Sequence, residues 1–121
     1  LQTLSGHSAN VNCLLRLPSG EVVSGSEDTT LKVWDVKTGQ CVQTLAGHGK
    51  SVNCLLRLPS GEVVSGSYDG QLKEWDMKTG QCMRTLLGHS SGVTNLLLLP
   101  NGEVVSGSED KTLKVWDVHL D

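Results

Sequence analysis

Histidine, serine and aspartate recur along this chain in a fixed order and at a fixed spacing. His7 is followed by Ser24, Ser26 and Asp28. The order returns at His48, Ser65, Ser67 and Asp69, and again at His89, Ser106, Ser108 and Asp110. Such a set could form a hydrolytic triad, in which a carboxylate orients an imidazole that deprotonates a hydroxyl. No nucleophile elbow of the G-x-S-x-G kind is expected in the chain, however, and "VSGS" reads as strand interior, without a strained turn or an oxyanion hole. The identical threefold occurrence also does not suit a single catalytic centre. Each set ends at a tryptophan, Trp34, Trp75 or Trp116. A buried Asp needs compensation, and an imidazole N–H supplies it. The second ring nitrogen accepts from a serine hydroxyl, whose lone pair takes the indole N–H. Both serines of each "SGS" point to one strand face, so spacing alone does not choose between them. Zinc held by the three histidines is a poor fit, since they fall in three separate repeats. No catalytic residue, cofactor or metal is expected.

The totals exclude other chemistry. The 121 residues carry 10 Lys and Arg against 13 Asp and Glu, a net charge of −3, and no basic cluster. Nucleic-acid binding, which rests on phosphate neutralisation, is not expected. Nor is attachment to an anionic membrane surface. The longest apolar run, within Leu96–Pro100, is strand length, far short of the roughly 20 residues of a membrane span. No basic segment followed by an apolar stretch opens the sequence, as a signal peptide would. Cys13 and Cys54 share one repeat position, and Cys41 and Cys82 another; none has C-x-x-C spacing. They are expected to be small buried hydrophobes in a reducing, cytoplasmic setting.

The elements that must position these residues follow from the repeat. "SGSEDTTLKVWD" (24–35), "SGSYDGQLKEWD" (65–76) and "SGSEDKTLKVWD" (106–117) stand 41 residues apart. Residues 1–41 and 42–82 are identical at 31 of 41 positions, and 1–39 and 83–121 at 26 of 39, so one parent unit has been copied. Within a unit, "VNCLLRL" ends at the turn "PSG". "EVVSGS", "LKVWDV" and "QCVQTL" follow as short β-prone runs between further turns,. No helical stripe appears. Each unit therefore reads as four short antiparallel strands, a sheet that must stack on its copies to bury its faces. The repeats are 1–41, 42–82 and 83–121.

Gly-His opening each unit, Asp in the third turn and Trp-Asp closing the third strand resemble the WD-repeat β-propeller family over essentially the whole chain. The resemblance implies an all-β propeller of four-stranded antiparallel blades. It implies a hydrogen-bonded chain of His, Ser, Asp and Trp in each blade, and a non-catalytic platform for protein partners. It also implies that the residue before the turn Asp, and those leading into the first strand, lie on the face where partners dock. The matching positions are Glu27, Tyr68, Glu109, Asn10, Asn12, Ser51, Asn53, Gly92 and Thr94. Several of these break the repeat, as does Glu74 where Val33 and Val115 stand. Repeat drift on a solvated surface is the plainer reading of that variation.

Propellers have typically four to eight blades, so three leave two open apolar faces. Leu1, Gln2, Thr3 and Leu4 match the outer strand "VQTL" (42–45), while the third unit ends as "VHLD", without an outer strand of its own. The two defects are complementary between chains, head to tail. A homo-oligomer is therefore expected, with Leu1–Leu4 as the closure strand between chains. Two chains give six blades at about 60° each and three give nine at about 40°. Leu15, Leu56 and Leu97 fill an inner-strand position that the family often gives to a small residue, and this bulk favours the nine-bladed trimer over the six-bladed dimer. Two functions follow. One is an interaction scaffold that binds itself and a protein or peptide on the top face. The other is a purely structural fragment, or an engineered amplification of one blade, with no evolved ligand.

Overall fold

A computed structural model describes residues 1–118. Most of the departing C-terminal stretch "VHLD", residues 119–121, lies outside them. Eleven strands form in chain order: β1 (Val11–Arg16), β2 (Val22–Ser26), β3 (Thr30–Asp35), β4 (Gln40–Ala46), β5 (Val52–Arg57), β6 (Val63–Ser67), β7 (Leu72–Trp75), β8 (Cys82–Leu86), β9 (Val93–Leu98), β10 (Val104–Ser108) and β11 (Leu113–Trp116). They build two four-stranded antiparallel sheets, β1-β2-β3-β4 and β5-β6-β7-β8, and a three-stranded one, β9-β10-β11. Each sheet is one blade, and among the described residues the third has no outer strand.

Local chemistry sets the strand ends. After β1, Gly20 takes φ +94° and donates its N–H to Leu17 O at 2.9 Å, a left-handed geometry that favours glycine. The turn after β2 holds Thr29 at φ +78°, and the equivalent turns hold Gly70 at +85° and Lys111 at +72°. A bulge between Val33 and Trp34 in the β3–β4 ladder recurs between Glu74 and Trp75. The extra residue lies on β4 and β8, so β3 and β7 keep the regular alternation that puts each tryptophan on the face opposite Leu31 or Leu72,.

The core lies between blades. Leu31, Val33 and Leu45 of blade 1 pack with Val52, Val63 and Trp75 of blade 2. Leu72 and Cys54 of blade 2 pack with Val93 and Val104 of blade 3. What each position buries thus depends on having a neighbour. Leu31 and Leu72 are 0% exposed, whereas their equivalent Leu113 is 74% exposed. Val52 and Val93 are 0% exposed, whereas Val11 on the opposite open face is 50% exposed.

Residues 1–4 join no ladder among the described residues. They still lie where an outer strand would. A Cβ added at Gly39 would meet Gln2 and Leu4, just as one at Gly80 would meet the equivalent Gln43 and Leu45 of β4. The cysteines are all free, but they are not uniformly buried as the sequence led us to expect. Cys13 and Cys54 sit in the seams between blades. Cys41 and Cys82 are exposed, because the outermost strand has no further sheet beyond it.

Candidate functional site

Each blade carries one polar chain, and the three are nearly superimposable. In blade 1, His7 Nδ1 lies 2.8 Å from Asp28 Oδ2, and His7 Nε2 lies 2.6 Å from Ser24 Oγ. Trp34 Nε1 donates to the same Ser24 Oγ at 2.8 Å. In blade 2 the distances are 3.3 Å for His48–Asp69, 2.6 Å for His48–Ser65 and 2.8 Å for Trp75–Ser65. In blade 3 they are 2.8 Å for His89–Asp110, 2.7 Å for His89–Ser106 and 2.8 Å for Trp116–Ser106. The hub is therefore the first serine of each "SGS". The second serine does a different job: Ser26 Oγ donates to Asn10 O at 2.8 Å and accepts Asp28 N–H at 3.0 Å. Ser67 repeats that pattern with the Ser51 carbonyl, whereas Ser108 donates to Ser91 O, the counterpart of Ala9 O, at 3.1 Å.

The electrostatics favour ionised carboxyls in the three blades and a neutral imidazole at His48. Burial pushes Asp28 up, but hydrogen bonds from Thr30, His7 and the Ser8 backbone outweigh it and hold the carboxyl well below the usual range,. Asp69 is held low against burial by the backbone N–H groups of Gln71 and Gly49 and by His48. Asp110 is held low first by the Thr112 hydroxyl, then by His89. Burial pulls the His48 imidazole below its ordinary value against the opposing charge of Asp69. A neutral imidazole that donates from Nδ1 to the carboxylate leaves Nε2 to accept the serine O–H. The serine's own lone pair takes the indole N–H. Every member is satisfied and the hydroxyl is buried, so the arrangement clamps the third strand to the loop that opens the blade.

One serine departs from the sequence reading. "GHSSG" at 88–92 does spell G-x-S-x-G. Ser90 lies in the exposed loop before β9, its N–H donating to Asp110 Oδ2 at 3.1 Å. A strand follows it, so the strand-to-helix turn of a nucleophile elbow is not formed,. Among the described residues, no group of three or more His, Cys, Asp or Glu could hold a metal ion, and no helix is long and apolar enough to cross a membrane.

The positions matched to a partner face divide in the structure. Glu27, Tyr68 and Glu109 stand beside Asn10, Ser51 and Gly92 in their own blades, each joined by a backbone hydrogen bond of 2.9 Å. Tyr68 is 48% exposed, and Lys50 Nζ stands 5.7 Å from its ring centroid. Asn12 and Asn53 turn to the seams instead. Asn12 Nδ2 donates to Val52 O at 3.2 Å, and Asn53 Nδ2 to Val93 O at 3.1 Å. Thr94, at the same position of blade 3, donates to Gly107 O of its own blade at 3.3 Å. Glu74 is buried at the seam of blades 2 and 3, with Arg84 Nε 3.4 Å from its Oε1.

Both open faces are apolar. On blade 1 a groove of about 300 Å³ runs over Leu4, Gly6, His7, Val11, Leu14 and Trp34. On blade 3, Leu97, Leu113 and Val115 are exposed.

The family model described as "WD domain, G-beta repeat" matches residues 1–35, 39–76 and 80–117. Among curated relatives, "Nuclear distribution protein nudF" of Aspergillus niger is 42% identical over 45 residues, 36% of this chain and 10% of that protein. "DENN domain and WD repeat-containing protein SCD1" of Arabidopsis thaliana is 40% identical over 42 residues, 35% of this chain and 4% of that protein. "Ribosome biogenesis protein BOP1 homolog" of Anopheles gambiae is 38% identical over 40 residues, 32% of this chain and 5% of that protein. Each alignment is about one repeat long, and the chain spans a small fraction of these relatives.

Proposed function

The chain belongs to the WD-repeat family, and from that premise we propose that it is a protein-interaction scaffold whose first partner is a second copy of itself. Domains of this family are in general non-catalytic platforms for protein–protein contact. The observation that carries the self-association is the contrast between equivalent positions: Leu31 and Leu72 at 0% exposure against Leu113 at 74%, and Val52 and Val93 at 0% against Val11 at 50%. The seams inside the chain are therefore templates for the missing one. Leu113 and Val115 of one copy pack on Val11, Val22 and Trp34 of the next. Contiguous open faces of this kind mark interaction sites.

Strand pairing supports the same register. Leu31, Lys32 and Val33 oppose Leu45, Thr44 and Gln43 in the β3–β4 ladder. Leu113, Lys114 and Val115 of one copy then oppose Leu4, Thr3 and Gln2 of the next. Lys32 Nζ and Lys73 Nζ each donate to a threonine hydroxyl at 2.9 Å across that ladder, and Lys114 with Thr3 completes the series. The added strand covers the open β11 edge. Head-to-tail contacts of this type close into rings. Leu15 and Leu56 are packed in the seams near the inner strands, and their bulk favours the wider nine-bladed trimer over a six-bladed dimer. The exposed Tyr68, with Lys50 beside it, is the proposed contact for a protein or peptide on the top face.

Light scattering after size exclusion across a dilution series tests the reading. A mass of about 39 kDa, three chains of 12.9 kDa, is the expected outcome. A mass of about 26 kDa would replace the trimer by the dimer, and a stable monomer would end the ring proposal.

A further inference from the structure

Five of the residues that break the repeat lie close together. Tyr68 stands where the other blades have Glu27 and Glu109, Gly70 where they have Thr29 and Lys111, and Glu74 where they have Val33 and Val115. Arg84 replaces Gln2 and Gln43, and Gly92 replaces Asn10 and Ser51. All five meet at the seam between blades 2 and 3. A Cβ at Gly92 would stand 2.7 Å from Tyr68 Cδ1 and 3.2 Å from Tyr68 Cα. A Cβ at Gly70 would stand 2.8 Å from His89 O and 3.1 Å from Ser91 O. Backbones therefore approach more closely here than a side chain permits, and each side of the seam contributes one glycine. Below them, Glu74 occupies the interior of the interface and faces Arg84 across the β7–β8 ladder.

We infer that Tyr68 with Gly92, above the buried Glu74–Arg84 pair of blade 2, forms an address that makes blade 2 accept only blade 3 of its own chain, so that a second copy is admitted at the open face of blade 3 alone. The inference rests on the self-association proposed above. Near-identical blades invite exchange: blade 1 of a second copy could otherwise take the place of blade 3 on the face of blade 2. Asn10 of that blade carries a Cβ where the Tyr68 ring and backbone leave room for none. The open face of blade 3 displays Glu109 and Val115, identical to Glu27 and Val33 of blade 1 and unlike Tyr68 and Glu74 of blade 2. Blade 1 accepts Ser51, a residue with a side chain, at that position within the chain. The open seam is thus of the permissive type, and the closed one is exclusive. Specificity here comes from excluding the wrong neighbour rather than from tighter contact with the right one.

The test gives blade 2 the residues of blade 1, as Tyr68→Glu/Glu74→Val/Arg84→Gln. Parent and variant are refolded from denaturant over a range of concentrations and weighed by native mass spectrometry. The expected result is one dominant size for the parent and two or more for the variant, with the minor sizes raised at least tenfold. An unchanged size distribution in a folded variant overturns the inference. A second pair reads the lock within one chain, and so also decides if the variant fails to fold or the parent proves monomeric. Gly92→Ser is expected to lower the unfolding midpoint, and Tyr68→Glu/Gly92→Ser to recover at least half of that shift. A neutral Gly92→Ser, or no recovery in the double variant, overturns the address while leaving the ring reading to its own measurement.

Discussion

Ser65 is the hub on which one blade's polar chain depends, since it accepts the Trp75 indole N–H and bonds His48 Nε2. Ser65→Ala would leave both groups buried without that partner. We expect it to cost about 1–3 kcal/mol, read as a lowered denaturant midpoint, whereas the lost hydroxyl itself removes almost no apolar packing. Acid should act on the same chain. His48 is held neutral below its ordinary value by burial, so the unfolded state binds the proton more readily, and stability falls as pH drops below about 6.5. The depressed carboxyls of Asp28, Asp69 and Asp110 add a second loss as pH drops below about 4. Urea midpoints measured from pH 8 to pH 3 should decline in that direction throughout. The members of each chain were legible in the sequence because their types recur in register. The choice of serine was not. Ser24 and Ser26 share a face, and only the cross-strand register separates them, by putting Trp34 opposite Val22 and leaving Ser26 beyond the last β2–β3 pair.

At the level of strands, equivalent positions with unequal surroundings give a sharp comparison. Leu72→Ala opens a cavity in a filled seam and should cost about 2–5 kcal/mol of stability. Leu113→Ala should leave the folding of the isolated chain nearly unchanged and weaken assembly instead, which sedimentation at several concentrations would read. Thr94→Asn restores, at the proposed seam between chains, the amide that Asn12 and Asn53 direct to the next blade's carbonyl. It should shift dissociation of the assembly to lower concentration by several-fold, at about 0.5–1.5 kcal/mol per added hydrogen bond. Strand boundaries were readable to within one or two residues, because Gly, Pro, Asp and Thr punctuate each unit and local turn chemistry needs no knowledge of neighbours. The roles of Asn12, Asn53, Cys41 and Cys82 were not readable. Whether a strand residue meets another blade, its own sheet or solvent is decided by stacking, and one repeat cannot encode that.

Across the whole molecule, removal of residues 1–4 tests how far the edge of β11 matters. The three blade cores keep every seam they have, so circular dichroism should change little, while the assembly should dissociate at higher concentration because the added strand and its edge hydrogen bonds are gone. An assembly indifferent to the deletion would mean that copies meet through faces alone. The unlike open faces have a further consequence, best put in the language of polymer chemistry. Under the proposed head-to-tail association, each chain would be a bifunctional unit with a donor end and an acceptor end, much as an amino acid is. Such units either cyclise or elongate. Below the effective concentration of one end for the other within a nearly complete ring, cyclisation wins, and above it linear growth competes. A protein-rich solution should therefore thicken before it precipitates, and dilution alone should return the discrete species.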